Sequence, residues 1–262
     1  MAEESALKPF YSVLVLAFAC SLLVAGAAVG LRPLQESNRQ LDQKKNILRA
    51  AGIFKDDVSV ADQFKVVETR LVELATGSFV AEEQLSPEEF NQTKAAFSDE
   101  LGRPLAKEED LARLSRLEKY SLVYLIAGDD NTIEQVILPV RGKGLWSTMF
   151  AYVALDADLN TIRGVSFYAH GETPGLGGEV ENANWQKGWQ GKKVYDQDRA
   201  VRLQVVKGSA EKSGEQAAYE IDGLSGATMT ANGVSDLMQF WFGDHGFKPF
   251  IERIKKEGGF NG

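Results

Sequence analysis

The sequence predicts an α+β protein with one N-terminal transmembrane helix, a mostly helical stalk region and an antiparallel-sheet domain. Three observations predict this fold class: an uncharged apolar run at residues 9–31, helical periodicity within residues 34–118, and β-branched and aromatic runs separated by short turns from Tyr120 onward. The same changes of pattern divide the 262-residue chain into predicted segments 1–33, 34–118 and 119–262.

The apolar run at residues 9–31 predicts a helix that crosses a membrane. It contains no charged side chain, and with a rise of about 1.5 Å per residue it is long enough for a hydrocarbon core of roughly 30 Å. Phe10 and Tyr11 lie where interfacial aromatic residues occur, and Arg32 ends the run. The prediction is an anchor that spans the membrane once.

A cleaved signal peptide is the competing interpretation of the N-terminus, with "AGA" at residues 25–27 as its processing site. The apolar run is longer than the ~7–15 residues of a signal core. Glu3 and Glu4 also stand beside a single Lys8, where a signal peptide is positively charged. We therefore predict a retained anchor.

Residues 34–118 are predicted to be mostly helical and polar, without a catalytic motif. Residues 38–50 ("NRQLDQKKNILRA") continue the anchor as a polar helix. In "SPEEF", Ser86 is expected to cap a helix and Glu89 to complete a capping box. Helical spacing also relates four apolar residues: Phe64, Val67, Leu71 and Leu74.

The pattern changes at Tyr120 to short apolar runs that are typical of strands. Four runs, "YSLVYLIAG", "IEQVILPV", "FAYVALD" and "IRGVSFYA", have short connections that include "DDNT" and "ADLNT". Such connections predict antiparallel pairing. Residues 201–207 predict a further strand, and an amphipathic helix that stops near residues 243–246 is predicted by the spacing of Val234, Leu237, Met238, Trp241 and Phe242.

Composition excludes several functional classes. The net charge of −8 argues against nucleic acid as a partner, because phosphate contacts need a basic surface. One cysteine, Cys20, and two histidines, His170 and His245, are too few for a thiolate cage or a histidine-rich metal site. We therefore predict no metal site, and chemistry that comes largely from a cofactor or from carboxylates and hydroxyls.

The segment "DGLSGATMT" at residues 222–230 places small residues and hydroxyls at the start of the predicted helix. Helix N-termini attract anions because their first amides are unpaired. The hydroxyls of Ser225, Thr228 and Thr230 could cap the helix, donate to a phosphate or be esterified by one. A serine or threonine cap on a glycine turn is the ordinary interpretation.

A hydrolase is a further interpretation of the same segment. "GLSGA" at residues 223–227 nearly matches the G-x-S-x-G elbow, with Ser225 as nucleophile and His245 as base. The last glycine of that elbow is missing, however, and the preceding "AAYEID" is a weak strand. We therefore do not expect a hydrolase.

Residues 222–228, "DGLSGAT", resemble the D-x-x-[S/T]-G-A-T signature of proteins that carry FMN covalently. In that family a dedicated flavin transferase joins FMN by a phosphoester bond to the last threonine of the motif. The resemblance makes Thr228 the acceptor, with Thr230 as the nearest rival. It also implies flavin contacts for the surrounding residues: Asp222, Ser225, Gly226, Ala227 and Thr230.

A second segment, "HGETPGLGGE" at residues 170–179, resembles the H-x-E-T-P-G-L-G loop of the same domain. Its ordinary interpretation is a Pro-Gly turn after a strand. The resemblance implies that its glycines let the backbone approach a flat ring and that Leu176 packs on the ring face. The flavin contacts expected here are His170, Glu172, Thr173, Gly175, Leu176 and Gly177.

A third segment, "GKGLWS" at residues 142–147, resembles the G-x-G-x-W segment of the family. Trp146 is either a core aromatic residue or part of the flavin wall. The three segments occur in the family's order between residues 120 and 245. The resemblance therefore implies that residues 119–262 form an FMN-binding domain.

Nearly the whole chain resembles the C-subunit family of the sodium-translocating NADH:quinone reductases of bacteria, most weakly at residues 75–105. The resemblance implies an electron-relay flavoprotein within a multi-subunit respiratory complex that reduces ubiquinone while sodium crosses the membrane. The similar G subunit of the related electron-transport complex to ferredoxin is the second candidate, and a cofactor-free tethered module is the third. No G-x-G-x-x-G follows a strand, so we expect no turnover with NADH by this chain alone.

The resemblance also implies a location in the bacterial inner membrane with the large domain in the periplasm. The positive-inside rule alone favours the opposite orientation, because Lys8 precedes the span and four basic residues follow it: Arg32, Arg39, Lys44 and Lys45. Long domains translocate largely regardless of such charges. The periplasmic orientation is therefore the prediction.

Overall fold

A computed structural model describes residues 7–128 and 132–257. The predicted turn at residues 129–132 lies mostly outside these ranges, as do the acidic residues 3 and 4. In chain order the helices and strands are α1 (Leu7–Ala50), α2 (Val60–Gln63), β1 (Val67–Glu73), α3 (Gln92–Phe97), β2 (Gly102–Pro104), β3 (Arg116–Glu118), β4 (Tyr120–Ala127), β5 (Ile133–Lys143), β6 (Thr148–Asp156), β7 (Ile162–Ala169), α4 (Ala183–Lys187), β8 (Gln204–Val205), β9 (Glu220–Ile221), α5 (Thr228–Trp241) and α6 (Lys248–Glu257).

Helix α1 is one continuous helix of 44 residues. Within the described ranges it is the one helix whose length and composition allow it to cross a membrane. It therefore fits the predicted anchor. The chain divides into two compact units, Met1–Gln43 and Lys44–Gly262, so the last turns of α1 belong to the second unit.

Five strands form an antiparallel sheet in the order β1-β4-β5-β6-β7. The strands β4 to β7 are the four that the sequence predicts, and each pairs with its successor in the chain. Their short connections leave antiparallel pairing as the simplest arrangement. The α+β class with an antiparallel-sheet domain is confirmed.

The helix predicted over residues 64–74 is wrong. Val67 and Leu71 lie in β1, an edge strand of the sheet, and pair with Ile126 and Leu122 of β4. A spacing of four residues returns to the same face in a strand, which has period two, as well as in a helix. The periodicity therefore could not distinguish the two, and the pairing with β4 determines a strand.

The helix start predicted at Ser86 is also wrong. Residues 87–89 form a turn, and α3 begins at Gln92, where the Asn91 side chain accepts a hydrogen bond from the Lys94 amide at 3.0 Å. Packing favours the later start because Ala95 and Ala96, the buried residues of α3, lie one turn after Asn91. The helical prediction for this region therefore holds only through α1, and short strands, turns and helices follow.

Two apolar layers cover the sheet. One contains Leu237 and Trp241 of α5, both fully buried, and the other contains Ile47 and Leu48 from the end of α1. The indole N–H of Trp241 donates to the Arg141 carbonyl of β5 at 2.6 Å. Helix α5 is thereby fixed against the sheet, and its first turn has a defined position.

Helix α5 confirms the predicted amphipathic helix and ends at Trp241. The strand predicted over residues 201–207 shortens to β8, which pairs in parallel with β9. Side chains of α5 form hydrogen bonds with the backbone of residues 201–205. Ser235 accepts from the Val205 amide at 2.9 Å, and Gln239 donates to the Val201 carbonyl at 3.2 Å. These side chains take the place of a longer strand partner.

Candidate functional site

The predicted site lies at the start of α5. Thr228 is the first residue of this helix, and its N-cap, Ala227, makes no side-chain hydrogen bond. Gly226 has φ +70°, a left-handed conformation that favours glycine. The serine or threonine cap is therefore wrong, since the residue at the cap position has no hydroxyl and the first amides of α5 have no side-chain cap.

The two threonines in the first turn of α5 have opposite environments. Thr230 is 1% exposed, and its hydroxyl donates to Glu172 Oε2 at 2.7 Å. Thr228 is exposed, and its hydroxyl has no hydrogen bond to the part of the chain that the structure describes. Residues two apart point in very different directions around a helix. Of the two, Thr228 is the accessible hydroxyl.

Glu172 connects all three predicted segments. Its buried carboxylate accepts hydrogen bonds from the amides of Leu145, Trp146 and Ser147 at 3.2, 2.9 and 3.0 Å. The Thr230 hydroxyl is a fourth donor. Burial raises the pKa of Glu172, but the four hydrogen bonds outweigh burial, so the pKa is lowered from its ordinary value of 4.5. Glu172 is thus an ionised structural centre of the site.

Two glycines allow the segments to approach this carboxylate. A Cβ atom on Gly177 would lie 2.5 Å from Thr230 Oγ1 and 2.9 Å from Glu172 Oε2. A Cβ atom on Gly144 would lie 2.6 Å from Glu172 Oε1. A larger residue at either position would force the segments apart.

The loop after β7 is shaped by its own hydrogen bonds. His170 Nδ1 accepts from the Glu172 amide at 3.1 Å, and His170 Nε2 lies 3.0 Å from Glu181 Oε1. The Thr173 carbonyl accepts from the Gly178 amide at 2.9 Å, and Gly175 turns the chain with φ +76°. These contacts position the backbone on either side of Leu176.

Exposed apolar side chains lie around the start of α5. Trp146 is 67% exposed and Leu176 43%, while the neighbouring Leu145 and Met229 are 46% and 54% exposed. A Cβ atom on Gly226 would lie 3.0 Å from Leu176 Cδ2, so the loop lies directly against the motif. The core interpretation of Trp146 is therefore wrong. An open apolar surface of this kind suits the face of a flat aromatic ring.

Asp222 fixes the segment that precedes the motif. Its Oδ1 atom accepts from the Ala210 amide at 2.7 Å, and its carbonyl accepts from the Trp185 indole N–H at 2.7 Å. The carboxylate thus binds a backbone amide of the neighbouring loop. Through this hydrogen bond Asp222 positions the segment of chain that leads into α5.

A small groove lies between that neighbouring loop and α5. The Gly223 amide donates to the Gly208 carbonyl at 2.7 Å, which draws the two sides together. Sequence reasoning did not identify Lys207 or Asn232, because an isolated exposed polar residue forms no pattern. The residues that line the groove are Val206, Lys207, Gly208, Gly223, Leu224, Thr228, Ala231 and Asn232.

The hydrolase interpretation fails on geometry. Ser225 precedes α5 and His245 follows it, so the 14 residues of the helix separate them. At about 1.5 Å per residue this separation is roughly 20 Å, far beyond a hydrogen bond. Across residues 7–128 and 132–257, no group of three or more His, Cys, Asp or Glu could hold a metal ion.

The residues around α5 fit a flavin mononucleotide. The exposed hydroxyl of Thr228, the uncapped amides of the first turn and the lysine in the groove suit a phosphate. The exposed surface of Trp146 and Leu176 suits the ring.

Comparisons with known proteins agree with this fit. A family model described as the FMN-binding domain matches residues 144–243. The C subunit of the Na(+)-translocating NADH-quinone reductase of Pseudomonas aeruginosa is 40% identical over 258 residues, which are 97% of this chain and 98% of that protein. The corresponding subunit of Vibrio parahaemolyticus is 42% identical over 262 residues, with 99% and 98% covered. The crystal structure of Shewanella oneidensis NqrC has a TM-score of 0.76 and 32% identity, and covers 83% of this chain and 99% of its own.

Proposed function

The chain belongs to the C-subunit (NqrC) family of the Na(+)-translocating NADH-quinone reductases, and we propose that it is the electron-relay subunit of such a complex, with FMN bound covalently to Thr228. Its relatives match over nearly their whole length, and it has an FMN-binding domain at residues 144–243. The observation that supports the attachment site best is the contrast between the exposed Thr228 and the buried, hydrogen-bonded Thr230.

The proposed attachment is a phosphoester bond made by a flavin transferase. Thr228 Oγ1 forms a bond to the phosphorus of FMN, which is supplied as part of a flavin with an activated pyrophosphate. The bond from that phosphorus to the leaving phosphate breaks, and the threonine proton ends on the leaving phosphate. No electrons are transferred in this step. The unpaired amides at the start of α5 favour the anionic product.

The chain contributes position and surroundings rather than redox chemistry. Bound FMN supplies the electron transfer. Leu176 and Trp146 offer apolar surface to the ring, and Gly226 lets the loop with Leu176 lie against the motif. Glu172 acts indirectly, because it positions the surrounding loops by accepting hydrogen bonds from their amides and from the Thr230 hydroxyl. Fixed attachment suits a relay, because the flavin stays near neighbouring redox centres.

Partner subunits complete the reaction in this proposal. The relatives are subunits of a Na(+)-translocating NADH-quinone reductase, and this chain has no dinucleotide fingerprint after a strand. Electrons from NADH therefore enter through another subunit, pass this chain and end on ubiquinone while sodium crosses the membrane. Residues 9–31 have no ionisable group except Tyr11 and Cys20, so this span is not assigned to the sodium path.

The proposed location is the bacterial inner membrane with one span and a periplasmic large domain. The long apolar helix α1 supports the span. The flavin domain and its transferase must meet on the same side of the membrane, and the family resemblance puts both in the periplasm. The charges around the span favour the opposite side, so orientation needs its own experiment.

The other candidates have less support. Full-length matches at 40% and 42% identity favour the NqrC family over the G subunit of the ferredoxin-linked complex. The match to the FMN-binding domain disfavours a cofactor-free module. We therefore retain one proposal.

Fluorescence after denaturing electrophoresis tests the attachment site. The full chain is co-expressed with the flavin transferase, and a fluorescent band is expected for the wild type. Thr228→Ala should abolish the band, whereas Thr230→Ala should keep it. Retention in Thr228→Ala with loss in Thr230→Ala would assign the other hydroxyl, and no band in the wild type would reject a covalent flavin.

A further inference from the structure

The groove beside Thr228 has the composition of a phosphate site. Thr228 and Asn232 are four residues apart in α5, which places their side chains on one face of the helix. Lys207 and Gly208 line the same groove from the loop after β8. A threonine, an asparagine and a lysine, which are residue types that bind phosphate, therefore line one groove.

The backbone that carries Lys207 is fixed at this groove. The Val206 amide donates to the Ile221 carbonyl at 2.9 Å, and the Gly223 amide donates to the Gly208 carbonyl at 2.7 Å. A Cβ atom on Gly223 would clash with the Val206 carbonyl. A glycine of the "DGLSGAT" motif thus allows the segment with Lys207 to lie close to the motif.

Lys207 supplies a positive charge at this groove. The chain has a net charge of −8, so a surface cation beside the acceptor is not the result of a generally basic surface. No ion pair joins Lys207 to a carboxylate within the described residues. The nearby Asp222 carboxylate is engaged by the Ala210 amide. The ammonium group of Lys207 therefore remains available to a ligand.

We propose that Lys207 and Asn232 bind the flavin phosphate, first while Thr228 is esterified and afterwards in the finished diester. Lys207 compensates the negative charge on the phosphate oxygens, and the Asn232 carboxamide donates a hydrogen bond to them. This inference rests on the proposed function, because it needs Thr228 as the acceptor. It adds two residues outside the recognised motif to the attachment site.

The rate of flavin attachment tests the inference. Full-length apo chain is purified in detergent from a host without the transferase, then incubated with transferase and flavin donor, and the fluorescent band is followed in time. Lys207→Met should slow attachment about two- to fivefold, the range of an exposed charge interaction. Lys207→Glu should slow it further, Lys207→Arg should stay near the wild type, and high salt should remove the differences. Lys212→Glu is the matched control, because it makes the same charge change in the same loop outside the groove.

Phosphorus NMR separates a phosphate contact from a contact with the transferase. In fully flavinylated chains, the ³¹P resonance should shift in Lys207→Met and Asn232→Ala but stay unchanged in Lys212→Met. Equal attachment rates for Lys207→Glu and Lys212→Glu, or an unshifted resonance in Lys207→Met, would overturn the inference and leave Thr228 as the acceptor. Attachment at another residue in the wild type would overturn both proposals.

Discussion

Replacing Thr230 by valine should destabilise the flavin domain and leave flavin attachment intact. Valine keeps the volume of threonine and removes the hydroxyl that donates to Glu172 at 2.7 Å. Thr230 is 1% exposed, so water cannot replace the donor. A hydrogen bond to a charged group is worth about 1.5–3 kcal/mol. A unit the size of Lys44–Gly262 shifts by about 2–4 °C per kcal/mol, so we expect the melting temperature to fall by roughly 3–12 °C.

Thr228→Val is the matched control for this prediction. It makes the same chemical change two residues earlier, at an exposed hydroxyl without a partner in the described part of the chain. Its effect on stability should stay within about 0.5 kcal/mol, as for most surface substitutions. Thermal unfolding of both apo chains, followed by circular dichroism, and in-gel fluorescence after flavinylation provide the two measurements.

The two variants should therefore separate stability from attachment. Thr230→Val is expected to lose stability and keep the flavin, whereas Thr228→Val is expected to keep stability and lose the flavin. Unchanged melting of Thr230→Val would show that the hydrogen bond to Glu172 does not stabilise the domain. Equal destabilisation by both substitutions would refute the contrast in their environments.

Three further predictions concern acid stability, membrane topology and activity. The folded-state pKa of Glu172 lies below its ordinary value of 4.5, so its stabilising contribution is present above that pH and is lost as the pH falls through the folded-state pKa. In urea unfolding between pH 7 and pH 3, the free energies of unfolding of the wild type and Glu172→Gln should converge only at the acid end. A constant difference between them would contradict this prediction. Protease added to intact spheroplasts should digest the large domain, whereas protection until the membrane is broken would favour a cytoplasmic orientation. The flavinylated chain purified alone should be reduced by dithionite and reoxidised in air, and NADH:quinone turnover by it would reject the relay assignment.

Much of the sheet could be predicted because its information is local. Strands β4 to β7 follow one another with short connections, so their antiparallel order follows from chain geometry. Strand β1 pairs with β4 across about 50 residues of intervening chain, and no local pattern reports that pairing. A four-residue apolar spacing suits both a strand and a helix, which is why this element was assigned wrongly.

The site shows the same division between local and distant information. The motif places Thr228 and Thr230 together in the first turn of a helix, so the local sequence does not distinguish their two hydroxyls. The difference between them comes from Glu172, 58 residues earlier, whose carboxylate accepts from Thr230. The flavin contact expected for Glu172 stays a prediction, and the structure adds that its carboxylate joins three segments of the protein through hydrogen bonds. Such a role depends on three separate segments and has no signature in any one of them.

Mass spectrometry of the flavinylated peptide tests the central claim most directly. The full chain is co-expressed with the transferase and digested, and the peptide that contains residues 222–230 is fragmented to locate the added mass. We predict the mass of FMN minus one water on Thr228, with the phosphorus retained, and none on Ser225 or Thr230. The same mass on Ser225 or Thr230, or an unmodified peptide from a chain that still binds FMN, would contradict the account.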